Sequence, residues 1–187
     1  MKQQCTKLFL AVVLLAVAAP AMAQVTTETL DDSRFGALEP IKVLEIMERA
    51  VLKQDFQAYR AVLADSFVYA PDVITEAMYP DTDWSQWGIP QEEEFLRRFL
   101  SSVLEPELHL TDEIDECGMP MDHRARFELT YLIKIEGRAF ISEASFHFVE
   151  SDGNWYLWKW EEQDQVTNPN GGGYFSNSGA VRAALTP

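Results

Sequence analysis

Apolar residues recur every three or four positions from Pro40 to Val51, the spacing that places them on one face of a helix. Pro40 suits the first position of that helix, because its missing N–H is not needed there. The pattern predicts an amphipathic helix that ends near Lys53. Asp55 is a suitable N-cap for a second helix, and Pro90 opens a third helix whose first turn is acidic, as the helix dipole favours.

The segment after the second helix is predicted to be a short strand, Phe67 to Tyr69, followed by an aromatic loop with two prolines from 71 to 88. From Glu107 onward the period changes, and apolar and polar residues alternate as in strands with one buried face. The order of these elements predicts an α+β domain in which three amino-terminal helices pack on a mostly antiparallel sheet.

Two turns set the register of the predicted sheet. A tight turn at 136–137 places Phe127 opposite Phe146, and the pairs that follow along the two strands are apolar on the same face. The next turn carries Gly at its third position, fits a three-residue hairpin loop and places Phe146 opposite Trp158. A register shifted by one residue would instead bring Leu157 onto this face.

The chain opens with the three-part layout of a secretory signal: Lys2 and Lys7, an apolar run from Leu8 to Ala19, and a small-residue site that ends at Ala23. The apolar run is shorter than the roughly 20 residues that a membrane-spanning helix needs. We therefore expect cleavage after Ala23 and export to the periplasm or the extracellular space. An uncleaved amino-terminal anchor is the alternative.

The predicted boundaries divide the chain into four parts. Residues 1–23 are the signal peptide, 24–38 a flexible leader, 39–164 the folded domain and 165–187 a mobile tail rich in Gly and Asn. Cys117 is the only cysteine that remains after cleavage, so an intrachain disulfide is not expected. The sequence motifs of metal and cofactor sites are also missing, and we expect neither a metal nor a cofactor.

Charge narrows the classes of partner. The chain has 30 acidic and 15 basic residues and a formal net charge of −15, and removal of the two lysines of the signal makes it more acidic. Nucleic acids and anionic membranes are bound through neutralisation of their phosphates by Lys and Arg. We therefore expect neither nucleic acid nor membrane as a partner of the cleaved protein.

Two segments carry a resemblance to a known family. Residues 55–69, DFQAYRAVLADSFVY, and residues 152–161, DGNWYLWKWE, together with the order of the elements, resemble the nuclear transport factor 2-like superfamily, which includes ketosteroid isomerase, scytalone dehydratase and polyketide cyclases. The resemblance covers residues 39–164. It implies a strongly bent sheet that forms a cone-shaped half-barrel with the helices. This one fold serves enzymes, binding proteins and interaction modules.

The resemblance also implies an aromatic-lined cavity between the helices and the sheet. Such a cavity would hold an apolar or flat small molecule by means of a few polar groups. The alternative is that the rings fill the cone as a hydrophobic core. The implied lining residues are Tyr69, Trp84, Trp87, Phe95, Phe99, Phe127, Leu129, Tyr131, Phe146, Trp158 and Trp160.

General acid and base chemistry in such a cone needs a titratable side chain whose pKa is shifted by burial. Tyr131 and Glu162 are the best placed catalytic candidates, and Asp72 is a nearby carboxylate in the predicted loop. His147 and Glu143 fall on the solvent face in the predicted register. None of these residues matches with assurance the Asp, or Asp with His, paired to Tyr that the resemblance implies for isomerases and dehydratases.

Three functions stay open at the level of the sequence. The first is an exported small-molecule-binding or interaction domain without a catalytic set, which could form a homodimer through the outer face of the sheet. The second is a small lyase or isomerase that acts on an apolar substrate. A structural partner protein is a third possibility, in which Leu132, Ile141 and Leu157 would form an exposed apolar patch on the outer face.

Overall fold

The computed structural model describes residues 37–102, 105–117, 122–135, 138–163 and 178–186, so the predicted signal peptide lies outside the described residues. The helices are α1 (Pro40–Leu52), α2 (Phe56–Ala61), α3 (Val73–Met78), α4 (Ile89–Ser102) and α5 (Ser178–Leu185). The strands are β1 (Leu63–Ala70), β2 (Glu107–Cys117), β3 (Arg124–Ile135), β4 (Arg138–Ser151) and β5 (Asn154–Glu162). Within the described residues no helix combines the length and the apolar character that a bilayer crossing requires.

The strands form one open sheet in the order β1-β5-β4-β3-β2. β1 runs parallel to β5, and the other three pairings are antiparallel. Every second residue of β3 from Ala125 to Ile133 is buried, as the period-two pattern predicted. The described chain is therefore the predicted α+β domain, with helices packed against a mostly antiparallel sheet.

The hairpin of β3 and β4 has the predicted register. Phe127 lies opposite Phe146 and Leu129 lies opposite Ala144, and all four residues are buried. A shift of one residue would turn this whole set to the other face of the sheet, so burial of the alternate positions specifies the pairing.

The predicted loop of the β4–β5 hairpin is wrong. Its turn has two residues, Asp152 and Gly153, with φ of 53° and 76°. A two-residue hairpin turn needs this left-handed region, which Gly adopts freely and Asp more readily than most residues. The strands pair directly on either side of the turn, and Leu157 lies opposite Phe148, which is the alternative register.

A bulge in β5 then moves the pairing by one more residue. The register shifts between His147 and Phe148, which leaves Trp158 as the extra residue. Beyond the bulge Trp160 lies opposite Phe146 and is buried. Trp158 is half-buried, and its ring contacts that of His147 at 5.6 Å between centroids. The predicted inward position of Trp158 is therefore wrong, because the register that buries Leu157 turns the next residue to the other face, and the bulge returns Trp160 to the buried face.

The outer face of the sheet is also less apolar than predicted. Leu157 is fully buried and does not belong to it. Ile141 is 57% exposed and lies opposite Leu132, which is half-buried. The predicted patch is therefore reduced to these two residues.

The helices of the first half follow the predictions except in the aromatic loop. Asp55 caps α2 by accepting a backbone hydrogen bond of 3.0 Å. The predicted loop at 71–88 contains α3, which Asp72 caps by accepting a hydrogen bond of 2.8 Å from the N–H of Thr75. It also contains a 3₁₀ turn, Trp84–Gln86. Both elements are too short to show a hydrophobic period, which explains why the pattern did not predict them.

Both predicted ends of the folded domain need correction. Ala37, which the sequence assigned to the flexible leader, is buried and forms an isolated bridge with Trp155. Part of the predicted mobile tail forms α5, in which Ser178 and Arg182 are buried. Residues 164–177 lie outside the described residues. The domain therefore includes a carboxy-terminal helix that the predicted boundary left out.

Candidate functional site

Arg182 lies at the centre of the candidate site, and none of its surface is exposed. Its guanidinium carbon lies over three rings, 4.1 Å from the centroid of Tyr69, 4.4 Å from that of Trp160 and 4.8 Å from that of Phe95. These rings, which we call the aromatic cage, come from β1, β5 and α4. A cation at such distances is attracted by the negative ring faces, most strongly where water is excluded.

Glu92, which is 1% exposed, holds the guanidinium by its edge. Nε and Nη2 of Arg182 donate to Oε2 and Oε1 of Glu92 at 3.0 and 2.9 Å. The Tyr59 hydroxyl and the Trp87 indole N–H donate to the same two oxygens at 3.2 and 3.0 Å. Burial lowers the pKa of Arg182, but the charge of Glu92, its hydrogen bonds and the neighbouring Tyr69 and Tyr59 together outweigh burial, and that pKa lies above its usual range. The guanidinium is therefore a permanent cation.

Glu162 is a second buried carboxylate, at the end of β5 and 5% exposed. Its Oε1 accepts hydrogen bonds from the Tyr69 hydroxyl and from the Trp160 indole N–H, each at 3.1 Å. The hydroxyls of Tyr131 and Ser178 donate short hydrogen bonds to the same oxygen. One oxygen of Glu162 is thus surrounded by donors from β1, β3, β5 and α5.

Opposing effects set the protonation of Glu162. Burial raises its pKa, while hydrogen bonds from Ser178 and Tyr131, the charge of Arg182 and a hydrogen bond from Ser142 lower it. The Ser142 hydroxyl donates to Oε2 at 2.8 Å. Burial dominates, so the pKa of Glu162 lies above its ordinary value, the direction that an acid or base working near neutral pH requires.

The tyrosines of the site are held in the protonated form. Burial, followed by the negative charge of Glu162, raises the pKa of Tyr69 and of Tyr131. Burial and the charge of Glu92 raise the pKa of Tyr59 in the same way. The three phenols therefore donate hydrogen bonds to the carboxylates and do not act as bases.

Ser178 and Arg182 lie one turn apart on α5 and point to the same side. Nη1 of Arg182 donates to Oγ of Ser178 at 2.8 Å, and Ser178 contacts Glu162. A polar chain thus runs from Glu92 through Arg182 and Ser178 to Glu162, between β-sheet and helices. Among the residues that the structure describes, no buried side-chain nitrogen or oxygen lacks a hydrogen-bond partner.

The space enclosed by the aromatic cage, Glu92 and Glu162, which we call the chamber, is occupied by Arg182. A cavity of about 10 Å³ lies against the guanidinium, which is about the volume that one water needs. Its other lining residues are Val51, Tyr59, Phe95, Leu96, Phe99, Leu108, Ile133 and Trp160. The α5 side chain therefore lies where the ligand of the predicted cone was expected.

A larger and more polar cleft opens beside the chamber, at the end of β5. Its volume is about 460 Å³, and Asp72, Arg126, Glu128, Glu161 and Glu162 contribute to its wall. Glu162 therefore belongs both to the buried polar chain and to the wall of the cleft.

The structure brings most of the predicted aromatic residues together. Trp84 and Trp87 stack at 5.2 Å between centroids, and both contact the ring of Tyr69. Phe99 stacks on the cage residue Phe95 at 5.5 Å. These rings form the wall and the second layer of the chamber.

Three further predicted lining residues are core residues of the sheet. Phe127 contacts Phe148 at 5.1 Å between centroids, and Phe146 contacts Trp160 at 4.5 Å. Leu129 is 1% exposed. These residues support the chamber from the side of the sheet. Their side chains are apolar and cannot donate a hydrogen bond to a ligand or accept one from it.

Of the catalytic candidates, the structure brings Tyr131 and Glu162 into direct contact. Asp72 lies in the wall of the cleft, where both of its carboxylate oxygens accept hydrogen bonds from the first turn of α3. His147 lies on the other face of the sheet and contacts Glu161 at 3.3 Å, so its predicted outward position is confirmed.

Sequence reasoning missed Arg182, Ser178 and Glu92. Glu92 belongs to the acidic first turn that the sequence predicted for the third helix. α5 has the sequence SGAVRAAL and follows a segment without periodicity. The available signal was Arg182 itself, a single charge on a short helix of small and apolar residues, because such a charge needs a partner when the helix packs.

Comparison with known proteins gives the fold. No protein-family model matches the chain. No curated protein matches it. Among solved structures, a protein of unknown function from Mycobacterium tuberculosis matches with a TM-score of 0.51 and 12% identity, over 78% of this chain and 93% of that chain.

A protein of unknown function with a cystatin-like fold from Nostoc punctiforme PCC 73102 matches with a TM-score of 0.50 and 13% identity, over 71% of this chain and 93% of that one. An NTF-2-like protein of unknown function from Shewanella oneidensis MR-1 has a TM-score of 0.44 and 16% identity, over 66% of this chain and 95% of that chain. Identities of this size show a fold and not a function. The chain has the cystatin-like α+β fold that its resemblance to the nuclear transport factor 2-like superfamily predicted.

Proposed function

We propose that this protein is an exported small-molecule-binding domain whose ligand occupies the chamber. Export is supported by the signal-like layout of the first 23 residues. Binding is supported by one observation, the presence of two carboxylates, 1% and 5% exposed, that converge with hydroxyl donors inside an aromatic cone. Small-molecule sites have this composition, with mostly apolar walls and a few convergent polar groups.

The walls of the chamber and the group that fills it come from different parts of the chain. The body of the domain supplies the aromatic cage, both carboxylates and Tyr131. The helix α5 supplies the filling, and its buried residues are Ser178, Gly179, Val181 and Arg182. Val181 is the only apolar side chain among these four, and Ala183 and Leu185 are partly buried against the core. Apolar contacts therefore hold α5 together with the polar contacts of Ser178 and Arg182, and a ligand of the chamber requires local opening of this helix.

Binding fits the contacts of the site better than catalysis. A general base has to approach a substrate proton to roughly 2.6–3.2 Å. Oε1 of Glu162 already accepts hydrogen bonds from Tyr131, Ser178 and two further donors. Both oxygens of Glu92 are likewise paired. The carboxylates are therefore arranged to hold partners in place.

A thermal-shift measurement tests the proposal on the mature chain, residues 24–187, and on its Arg182→Ala variant. The probes are flat aromatic molecules, such as indole and benzyl alcohol, and the same rings with amine or guanidine substituents. We expect at least one probe to raise the melting temperature of the variant more than that of the wild type, because the variant leaves the chamber vacant. Arg97→Ala, which removes an exposed arginine of α4, is the matched control. A panel that shifts neither the wild type nor the Arg182 variant overturns the proposal.

One observation favours a second function, that of a small lyase or isomerase. Glu162 has a raised pKa, contacts Tyr131 and Tyr69, and lines the cleft of about 460 Å³. A carboxyl and a phenol in contact can move a proton at a carbon next to a carbonyl group. For an enzyme, NMR would detect deuterium exchange into cyclic ketones that is lost in Glu162→Gln and kept in Glu94→Gln, which changes a glutamate at the surface of α4. Exchange no faster than in buffer alone would exclude this activity for the ketones used.

A further inference from the structure

We infer that the ligand of the chamber carries an alkylguanidinium group and that Arg182 occupies the place of that group in this structure. The inference rests on the proposed function and names its ligand class. It follows from the wall of the chamber, because every group that recognises the guanidinium belongs to the body of the domain rather than to α5, Ser178 excepted.

The wall contains a complete set of contacts for a guanidinium ion. The planar fork of the Arg182 guanidinium matches the two oxygens of Glu92, at 2.9 and 3.0 Å, and the guanidinium carbon lies 4.1–4.8 Å from the centroids of the three cage rings. A delocalised, weakly hydrated cation is suited to both contacts at once, whereas a compact ammonium ion satisfies only one carboxylate oxygen well. The geometry therefore favours a guanidinium over a simple amine.

Charge excludes a neutral occupant. Arg182 is the only buried basic side chain in the part of the chain that the structure describes, whereas Glu92 and Glu162 are both buried. If a neutral molecule replaced the guanidinium, the Glu92 carboxylate would keep its two neutral donors but lose the charge that compensates it. A low-dielectric interior penalises such a charge heavily. The chamber therefore requires a cation in order to stay folded and closed.

Arg182 competes with a free ligand because it is part of the same chain. Tethering gives such an internal group an effective concentration of the order of mM. A free ligand can bind only those wild-type molecules in which α5 has left the chamber. Its apparent dissociation constant is therefore the intrinsic dissociation constant divided by the fraction of such molecules. Removal of the Arg182 side chain should therefore strengthen binding of a free alkylguanidinium.

The experiment uses the mature Arg182→Ala chain and N-ethylguanidinium chloride as the probe. The probe should raise the melting temperature of the variant by about 3–6 °C at ten times its dissociation constant, and the rise should saturate. The wild type and Arg97→Ala should show no saturable rise over the same concentrations. A rise that sodium chloride reproduces at equal ionic strength overturns the inference.

A second variant keeps the test decisive if Arg182→Ala does not fold. Arg182→Ala with Glu92→Gln removes the uncompensated carboxylate, so this double variant should fold and should not respond to the probe. In the single variant, a circular dichroism spectrum recovered by the probe supports the inference, and a spectrum that stays unfolded contradicts it. A double variant that responds as strongly as the single one also contradicts it.

Failure of this inference is distinguishable from failure of the proposed function. If benzyl alcohol or indole stabilises Arg182→Ala and N-ethylguanidinium does not, the chamber binds small molecules but is not a cation site. If neither class of probe stabilises any variant, the chamber is not a binding site, and both proposals are wrong.

Discussion

Nε and Nη2 of Arg182 lie 3.0 and 2.9 Å from the two carboxylate oxygens of Glu92, and neither residue is more than 1% exposed. This pair joins α5 to α4 across the chamber. A buried pair of good geometry adds little stability compared with apolar side chains, but loss of one partner leaves a charge without compensation. The pair therefore matters less for how stable the fold is than for what the chamber can hold.

Glu92→Gln is expected to lower the free energy of unfolding by about 3–5 kcal/mol, because the Arg182 guanidinium stays buried and loses its anion. Urea unfolding followed by tryptophan fluorescence measures the change. Glu94→Gln is the matched control on the same helix, since Glu94 pairs with Arg97 and Arg98 at the surface. Equal effects of the two substitutions would contradict the role given to Glu92.

Glu162 should make the stability depend on pH with a defined sign. Burial raises its pKa in the folded state, so the folded protein binds its proton more tightly than the unfolded chain does. The resulting stabilisation is fully present below the unfolded value near 4.5 and is lost as the pH rises through the folded-state pKa. Relative to Glu162→Gln, the wild type should therefore lose stability from pH 4.5 towards neutrality. Urea unfolding at several pH values gives the free energy of unfolding of both proteins across this range. Its dependence on pH should differ between the two proteins, and the same dependence in both would refute the assignment.

Tyr131→Phe removes one donor from the most crowded oxygen of the site. We expect the free energy of unfolding to fall by about 1.5–3 kcal/mol, the usual contribution of a hydrogen bond to a charged group. The hydrogen bond from Tyr131 lowers the pKa of Glu162, so its loss should raise that pKa further and extend the pH dependence upward. Tyr156→Phe on the same sheet is the control, and a similar loss in both variants would argue against a special role for Tyr131.

Export is measured on the protein made from the whole chain in a bacterial host. Cleavage after Ala23 predicts a mature protein that begins at Gln24, which intact-mass spectrometry of the periplasmic or medium fraction resolves. An Ala21→Leu, Ala23→Leu variant enlarges both small residues of the cleavage site and should accumulate uncleaved. Cleaved product at the same level from this variant would place the cleavage elsewhere.

Local periodicity predicted the parts of the fold that depend on one segment at a time. The alternation along β3 and β4 fixed which residues are buried, because a shift of one residue would expose the whole apolar set. The helix α1 and the cap at Asp55 were also predicted, because each depends only on residues that are close together in the sequence.

The site depends on contacts that no local pattern records. Arg182 and Glu92 are 90 positions apart in the chain, and each looks ordinary in its own helix. Glu162 was a candidate because the sequence placed it near the end of the last strand, but its donors Ser142 and Ser178 lie on other elements. Which polar residues meet inside the cone follows from tertiary packing, so the sequence predicted an aromatic cone and missed the cation within it.

The bulge in β5 gives a prediction that separates two neighbouring tryptophans. Trp160 is 1% exposed, contacts the rings of Tyr131 and Phe146, and donates to Glu162, so Trp160→Ala should cost about 3–5 kcal/mol. Trp158 lies half-buried on the other face, where His147 and Arg124 contact its ring, and Trp158→Ala should cost much less. Urea unfolding of the two variants measures the difference. In a strand without the bulge the two tryptophans, which are two residues apart, would lie on the same face, so similar losses in the two variants would mean that β5 pairs without the bulge.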